Sequence, residues 1–167
     1  MIIELAVMFL FPVIMVFAGA LDIFTMTIPN RISIGLLAGF VCLAPFAGFG
    51  WETIALHFAT GAVMLVLGIA AFAAGWIGGG DAKLFAAASL WMGHEHIYDY
   101  LLLSSILGGV LTLGFLAMRK YPLPPRLADQ PWIVRLHDAA HGVPYGVALS
   151  AAVLILYPDT SWFEGLV

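Results

Sequence analysis

Two carboxylates in this 167-residue chain stand where carboxylates are costly. Asp22 lies inside the apolar run Ala18-Gly19-Ala20-Leu21-Asp22-Ile23-Phe24, and Asp81 follows directly on Gly78-Gly79-Gly80. An ionisable residue at membrane depth is expensive to keep and marks a functional site by default. Two carboxylates at the same depth can meet between helices. Repulsion and partial desolvation then leave one protonated and the other ionised, the state that activates a water and protonates a leaving group. The competing reading is structural: Asp is a preferred helix N-cap, and either residue could snorkel to the interface. The three glycines can take backbone conformations closed to other residues and let the chain approach a partner closely. They also put Asp81 in a first helical turn, where the helix dipole favours negative charge.

A second constellation offers different chemistry. His137-Asp138-Ala139-Ala140-His141 spaces two imidazoles at i and i+4, one face of a helix, as in the HExxH of zinc proteases. Asp replaces the Glu general base and no third ligand is evident; His94 and His96 fall on the opposite side of the chain's topology. A juxtamembrane polar segment is the better account, and no metal or cofactor is expected. The lone Cys42 excludes an internal disulfide and reads as a small apolar helix residue.

The elements that must position these groups follow from composition. Apolar residues make up 63% of the chain, charged ones 10%, and mean hydropathy is +1.05. A soluble domain carries about 25% charged and about 45–50% apolar residues. This composition excludes an ordinary soluble domain, a disordered chain and a disulfide scaffold, and predicts an all-α polytopic membrane protein. A net charge of −4 leaves no basic face for nucleic acid. Six apolar segments approach the roughly 20 residues of a spanning helix: 2–24, 32–49, 54–76, 81–92, 97–118 and 143–157. The first lacks the positive n-region of a signal peptide and reads as a retained helix. The fourth is short, as for a helix starting below the membrane surface at a water-accessible site. Residues 119–141 carry four of the six basic residues and four of the nine prolines, so they read as a solvated loop, amphipathic near residues 132–136. No repeats divide the chain, which reads as one membrane-embedded domain, 1–167.

Six alternating spans place Arg31, Lys83, Arg119, Lys120, Arg126 and Arg135 on one side. Glu4, Glu52, Glu95, Asp159 and Glu164 fall on the other, with Asp99 just inside the fifth span. The positive-inside rule makes the first side cytoplasmic and both termini non-cytoplasmic. Lys83 snorkels there as a topology anchor or tunes the acid pair. Trp51, Trp76, Trp91, Trp132 and Trp162 fall near span ends, as interfacial anchors do. Gly61, Gly68, Gly75, Gly108 and Gly109 fit close helix packing.

Asp22 with Ile28-Pro29-Asn30, then Gly78-Gly79-Gly80-Asp81 with Lys83-Leu84, then Pro144-Tyr145-Gly146 opening the last helix, resembles the type IV prepilin peptidases, which are membrane aspartic proteases of GxGD type. The three motifs occur in the family's order across most of the chain. The resemblance implies a catalytic pair Asp22 and Asp81, with Gly78, Gly79, Gly80 and Lys83 in support. It implies substrate contact at Pro29, Asn30, Pro144, Tyr145 or Gly146. The substrates would be prepilins or pseudopilins, cut at the cytoplasmic face of the inner membrane just before their hydrophobic helix. Larger members carry paired CxxC motifs and also N-methylate the pilin. This chain has one Cys, so it resembles the compact branch serving tight-adherence (Flp-type) pili, and methyltransferase activity is not predicted. The rival classes are a zinc intramembrane protease and a non-enzymatic subunit or transporter in which the acids bind protons or cations.

Overall fold

In hydrocarbon a backbone must satisfy its own polar groups, and long apolar runs do so as helices. The computed structural model describes residues 2–164. It contains α1 (Ile2–Thr25), α2 (Asn30–Leu43), α3 (Trp51–Ala73), α4 (Gly79–Met118), short α5 (Pro125–Ala128) and α6 (Pro131–His137), α7 (Tyr145–Leu156) and α8 (Ser161–Glu164). There is no strand among the described residues, as the composition predicts. Three helices are long and apolar enough to cross a membrane, over Glu4–Thr25, Trp51–Ala73 and Gly79–Met118. Two shorter apolar segments, Asn30–Leu43 and Tyr145–Asp159, accompany them. The second expected segment runs to 49, yet α2 stops at Leu43 just before Pro45, which has no N–H to continue a helix.

The 40 residues of α4 do not form one rod. Gly93 has φ 71 and ψ 179, outside the helical region. The rings of Phe85 and Tyr100 stack with centroids 5.6 Å apart. Along a straight helix those residues would stand roughly 22 Å apart. The chain therefore reverses at Gly93, and residues 79–92 and 94–118 lie side by side as two arms. Positive φ favours glycine at this position, and so does space: a Cβ there would lie 2.6 Å from Cε1 of His57. His57 is buried in α3, and its Nδ1 donates to the Leu90 carbonyl at 2.7 Å, satisfying an acceptor that the break would orphan.

Aromatic residues pack the end of the bundle near this reversal. Trp91 stacks on Phe11 at 4.8 Å and on Trp162 at 4.6 Å, and Phe40 meets it edge-on at 5.8 Å. Trp91 Nε1 donates to the Leu36 carbonyl, and Trp162 Nε1 to that of Trp91. Both indoles are buried, which corrects their reading as interfacial anchors; their N–H groups find backbone partners inside the bundle. Trp51 and Trp76 are exposed, 86% and 79%, and fit the anchor reading. Trp132 packs edge-on against Phe24. Glycines set the close approaches. A Cβ on Gly61 would meet Leu90, one on Gly68 Ala82, and one on Gly108 Tyr145, each at 3.0–3.3 Å. A Cβ on Gly75 or Gly109 would meet nothing within 4 Å among the described residues, so neither marks a close approach.

At the other end, basic side chains tie helix termini together. Arg135 donates to the Phe24 carbonyl at the end of α1, Lys83 to Asn30 Oδ1 at the start of α2, and Arg119 to the carbonyls of Leu136 and Gly142. The 119–141 loop is thus fastened under the bundle, with α6 packed against α1.

Candidate active site

Helix α1 ends just beyond Asp22. Met26 N–H donates to the Asp22 carbonyl at 2.8 Å, and Met26 itself is left-handed, φ 53, a conformation costly for a side-chain-bearing residue. Thr25 and Thr27 share a hydroxyl–hydroxyl hydrogen bond of 2.8 Å that closes the turn. The chain then enters an extended stretch. Pro29 (φ −65, ψ 143) caps α2, and the residue before a proline is itself biased to extended backbone. Ile28, in that position, points into the bundle and is buried.

Gly78 is the N-cap of α4, so Asp81 is the third residue of its first turn and within reach of the favourable end of the dipole. The capping position belongs to Gly78, which weakens the N-cap reading of Asp81. Gly78 has φ −71, and none of the three glycines has positive φ. Their use is therefore close approach, and the expected special backbone conformation is not adopted. A Cβ on Gly80 would lie 3.2 Å from Ile28 Cβ and 3.3 Å from its carbonyl oxygen, and one on Gly78 would lie 2.8 Å from Asp81 Oδ2.

Helix α7 completes the arrangement. Gly146 N–H donates to Asp22 Oδ2 at 2.7 Å, and a Cβ on Gly146 would lie 2.8 Å from that oxygen and 2.9 Å from Ile28 Cδ1. Ile28 is wedged between a glycine of α4 and a glycine of α7. Ser150, one turn on, donates to the Met15 carbonyl and holds α7 against α1. Asp22 is 5% exposed. It shares with Asp81 a cavity of about 230 Å³ lined also by Met26, Thr27, Ile28 and Gly78-Gly79-Gly80. Asp81 Oδ1 is buried and has no hydrogen-bond partner among the described residues. A cavity of this size has room for several waters. A carboxylate pair around it can take a proton from one and give a proton to a leaving group.

The other sequence candidates lie around this cavity without lining it. Lys83 is exposed and bonds Asn30 at 2.9 Å. Pro144 is buried before α7, and the Tyr145 hydroxyl turns to Thr112 of the second α4 arm at 3.1 Å. Gly146 touches Asp22 directly. Met26, Thr27 and Ile28 are lining residues that sequence reasoning left out. The proline after Ile28 was the available signal for an extended, inward-turned segment. His137 and His141 do not share a helical face. His137 ends α6 and pairs with the Tyr121 carbonyl, while Asp138 caps a separate 3₁₀ turn, accepting from Ala140 N–H and pairing with His141. The Ala140 N–H bond and the adjacent imidazole hold the Asp138 carboxyl below its ordinary range. No group of three or more His, Cys, Asp or Glu side chains suited to a metal occurs among the described residues.

A prepilin leader peptidase/N-methyltransferase of Aeromonas salmonicida (strain A449) is 38% identical over 66 residues, 36% of this chain and 23% of that protein. One of the same description from Aeromonas hydrophila matches equally. The chain thus matches less than a quarter of the length of these relatives. No solved structure matches it. The profile of the type IV leader peptidase family matches residues 9–113, a stretch that contains Asp22 and Asp81, and the chain belongs to that family.

Proposed function

We propose that the chain is a membrane-embedded aspartic endopeptidase that removes the leader from Flp-type prepilins at the cytoplasmic face of the inner membrane. The observation that carries this reading is the shared cavity: Asp22 and Asp81, on different helices, border one pocket at the end of the bundle where the basic loop is fastened. In this reading the chain is one domain with six spans, namely α1, α2, α3, the two arms of α4, and α7. Both termini face away from the cytoplasm. One carboxylate takes a proton from a water as that water attacks the scissile carbonyl, and the other delivers a proton to the leaving amide nitrogen. The scissile segment lies extended across the glycine turn, because the peptide bonds of a helix are poorly exposed. Substrate contact falls to the rim residues Pro29, Asn30, Pro144 and Tyr145, with Gly146 and Lys83 behind them.

Co-expression with an Flp-type prepilin tests the reading through the mobility of the pilin band. Wild type shortens the pilin, and Asp22→Asn and Asp81→Asn each cut the rate by about 10²–10⁴-fold, the worth of one general acid or base. Chelators leave wild-type activity intact. Processing by both folded variants would overturn the aspartic mechanism.

A further inference from the structure

Between α2, α3 and the first arm of α4 runs a groove of about 380 Å³, separate from the aspartate cavity. Ser33, Leu37, Ala62, Leu65, Ala87 and Lys83 are among its lining residues. Its wall is apolar apart from one end. There the Lys83 ammonium sits level with the first residue of α2, donating one of its three N–H groups to Asn30 Oδ1 at 2.9 Å. The Ser33 hydroxyl, on the same groove, is buried without a hydrogen-bond partner. Leu37 and Leu65 are 44% and 38% exposed, so the groove opens sideways, toward lipid for a bundle seated in a bilayer.

Shape and charge select the occupant. From Lys83 to Leu90 the groove runs about 10 Å along α4, and its lining of Ile34, Leu37, Phe58, Leu65 and Leu90 offers hydrocarbon surface to an acyl chain. A single hydrocarbon chain fits. An exposed ammonium at the end of an apolar slot, at the level of helix termini, is matched by a phosphate, and basic pockets between membrane helices take anionic headgroups in this way.

We propose that this groove holds one acyl chain of an anionic phospholipid, with the lipid phosphate on Lys83. Two ammonium N–H groups remain for the phosphate. The bound lipid lies two residues from Asp81 along α4, against the outer face of the helix turn that carries the candidate site. The inference requires only that the bundle sits in a membrane and does not depend on the proteolytic reading.

Native mass spectrometry of the full chain in detergent tests it, by titration with phosphatidylglycerol and phosphatidylcholine of identical chains. Wild type retains phosphatidylglycerol about tenfold more tightly, the scale of one charge-assisted contact. Lys83→Gln loses that preference and Lys83→Arg keeps it. Ala62→Leu, which fills the slot, loses both lipids while helical content and elution profile stay unchanged. Equal retention of the two lipids by wild type overturns the proposal, and so does undiminished binding to Ala62→Leu. Displacement of the lipid by inorganic phosphate alone would show that the slot contributes nothing. Displacement by an apolar helical peptide, sensitive to Ala62→Leu, would assign the groove to a helix instead.

Discussion

Gly146→Ala is the sharpest probe of the candidate site, because one methyl group meets both the carboxylate and the residue that seats it. The added Cβ would stand 2.8 Å from Asp22 Oδ2, 2.9 Å from Ile28 Cδ1 and 3.1 Å from Asp22 Cβ. Carbon atoms in contact prefer about 3.5–4.0 Å, so the neighbours must give by roughly 0.5–1 Å. Ile28 cannot retreat freely, since Gly80 of α4 closes on its other side with only 3.2 Å for a Cβ. Asp22 therefore moves, and the 2.7 Å bond from Gly146 N–H stretches. Overpacking of this kind costs about 1–3 kcal/mol. The better helix propensity of Ala returns about 1 kcal/mol, leaving a net loss of about 0–2 kcal/mol.

The effect on catalysis is larger than the effect on stability, because a misplacement of about 1 Å costs on the order of 10²-fold in rate. Gly109→Ala is the matched control: nothing lies within 4 Å of a Cβ there, and the same chemical change should leave processing unaltered. Two measurements separate the effects: unfolding in mixed detergent micelles for stability, and initial rates of leader removal in vesicles for catalysis. If Gly146→Ala processes substrate as fast as Gly109→Ala, then the contact between α7 and Asp22 does not position the carboxylate, and the reasoning fails.

Two further substitutions test the backbone that frames the site. Gly93→Ala combines left-handed strain with a Cβ 2.6 Å from the His57 ring, and should destabilise by about 2–5 kcal/mol in mixed micelles. Wild-type stability would mean that the arms of α4 can reverse elsewhere. Met26→Gly removes a left-handed side chain at the end of α1 and should stabilise by about 1 kcal/mol in the same assay. A loss of stability instead would show that Met26 packing outweighs its strain.

Much of the fold was legible because membrane helices announce themselves by length. The polar run Gly93-His94-Glu95-His96 predicted a break there, and the structure reverses the chain at Gly93. What hydropathy could not show is which face of each helix is covered. In a soluble protein the buried face is apolar and the other polar, so periodicity reveals it. Here both faces are apolar. Phe11 is fully buried while Phe9 and Phe17 on the same helix are 54% and 57% exposed, and no difference in residue type distinguishes them. Trp91 and Trp162 were misread for the same reason. The glycines were legible as a close approach, but not their partner, Ile28, because a plug between helices looks like any other apolar residue.

The level at which two aspartates from distant parts of the chain meet has a physical origin that sequence spacing carries without disclosing. Trp91 stacks on Phe11 with only 7° between the ring planes, its Nε1 donates to the Leu36 carbonyl, and Trp162 donates to its backbone carbonyl. Asp22 lies eleven residues beyond Phe11 along α1, and Asp81 ten residues before Trp91 along α4. At 1.5 Å per residue those intervals are about 16 Å and about 15 Å. Both helices are thus measured from one aromatic stack, and the carboxylates come level to within an ångström or two. The intervals are visible in the sequence, whereas the stack that makes them equal in space exists only once the helices are packed. The same logic explains why the break at Gly93 falls so close to Trp91: the first arm of α4 needs only to reach from the aspartate to its reference point, and it turns back two residues later.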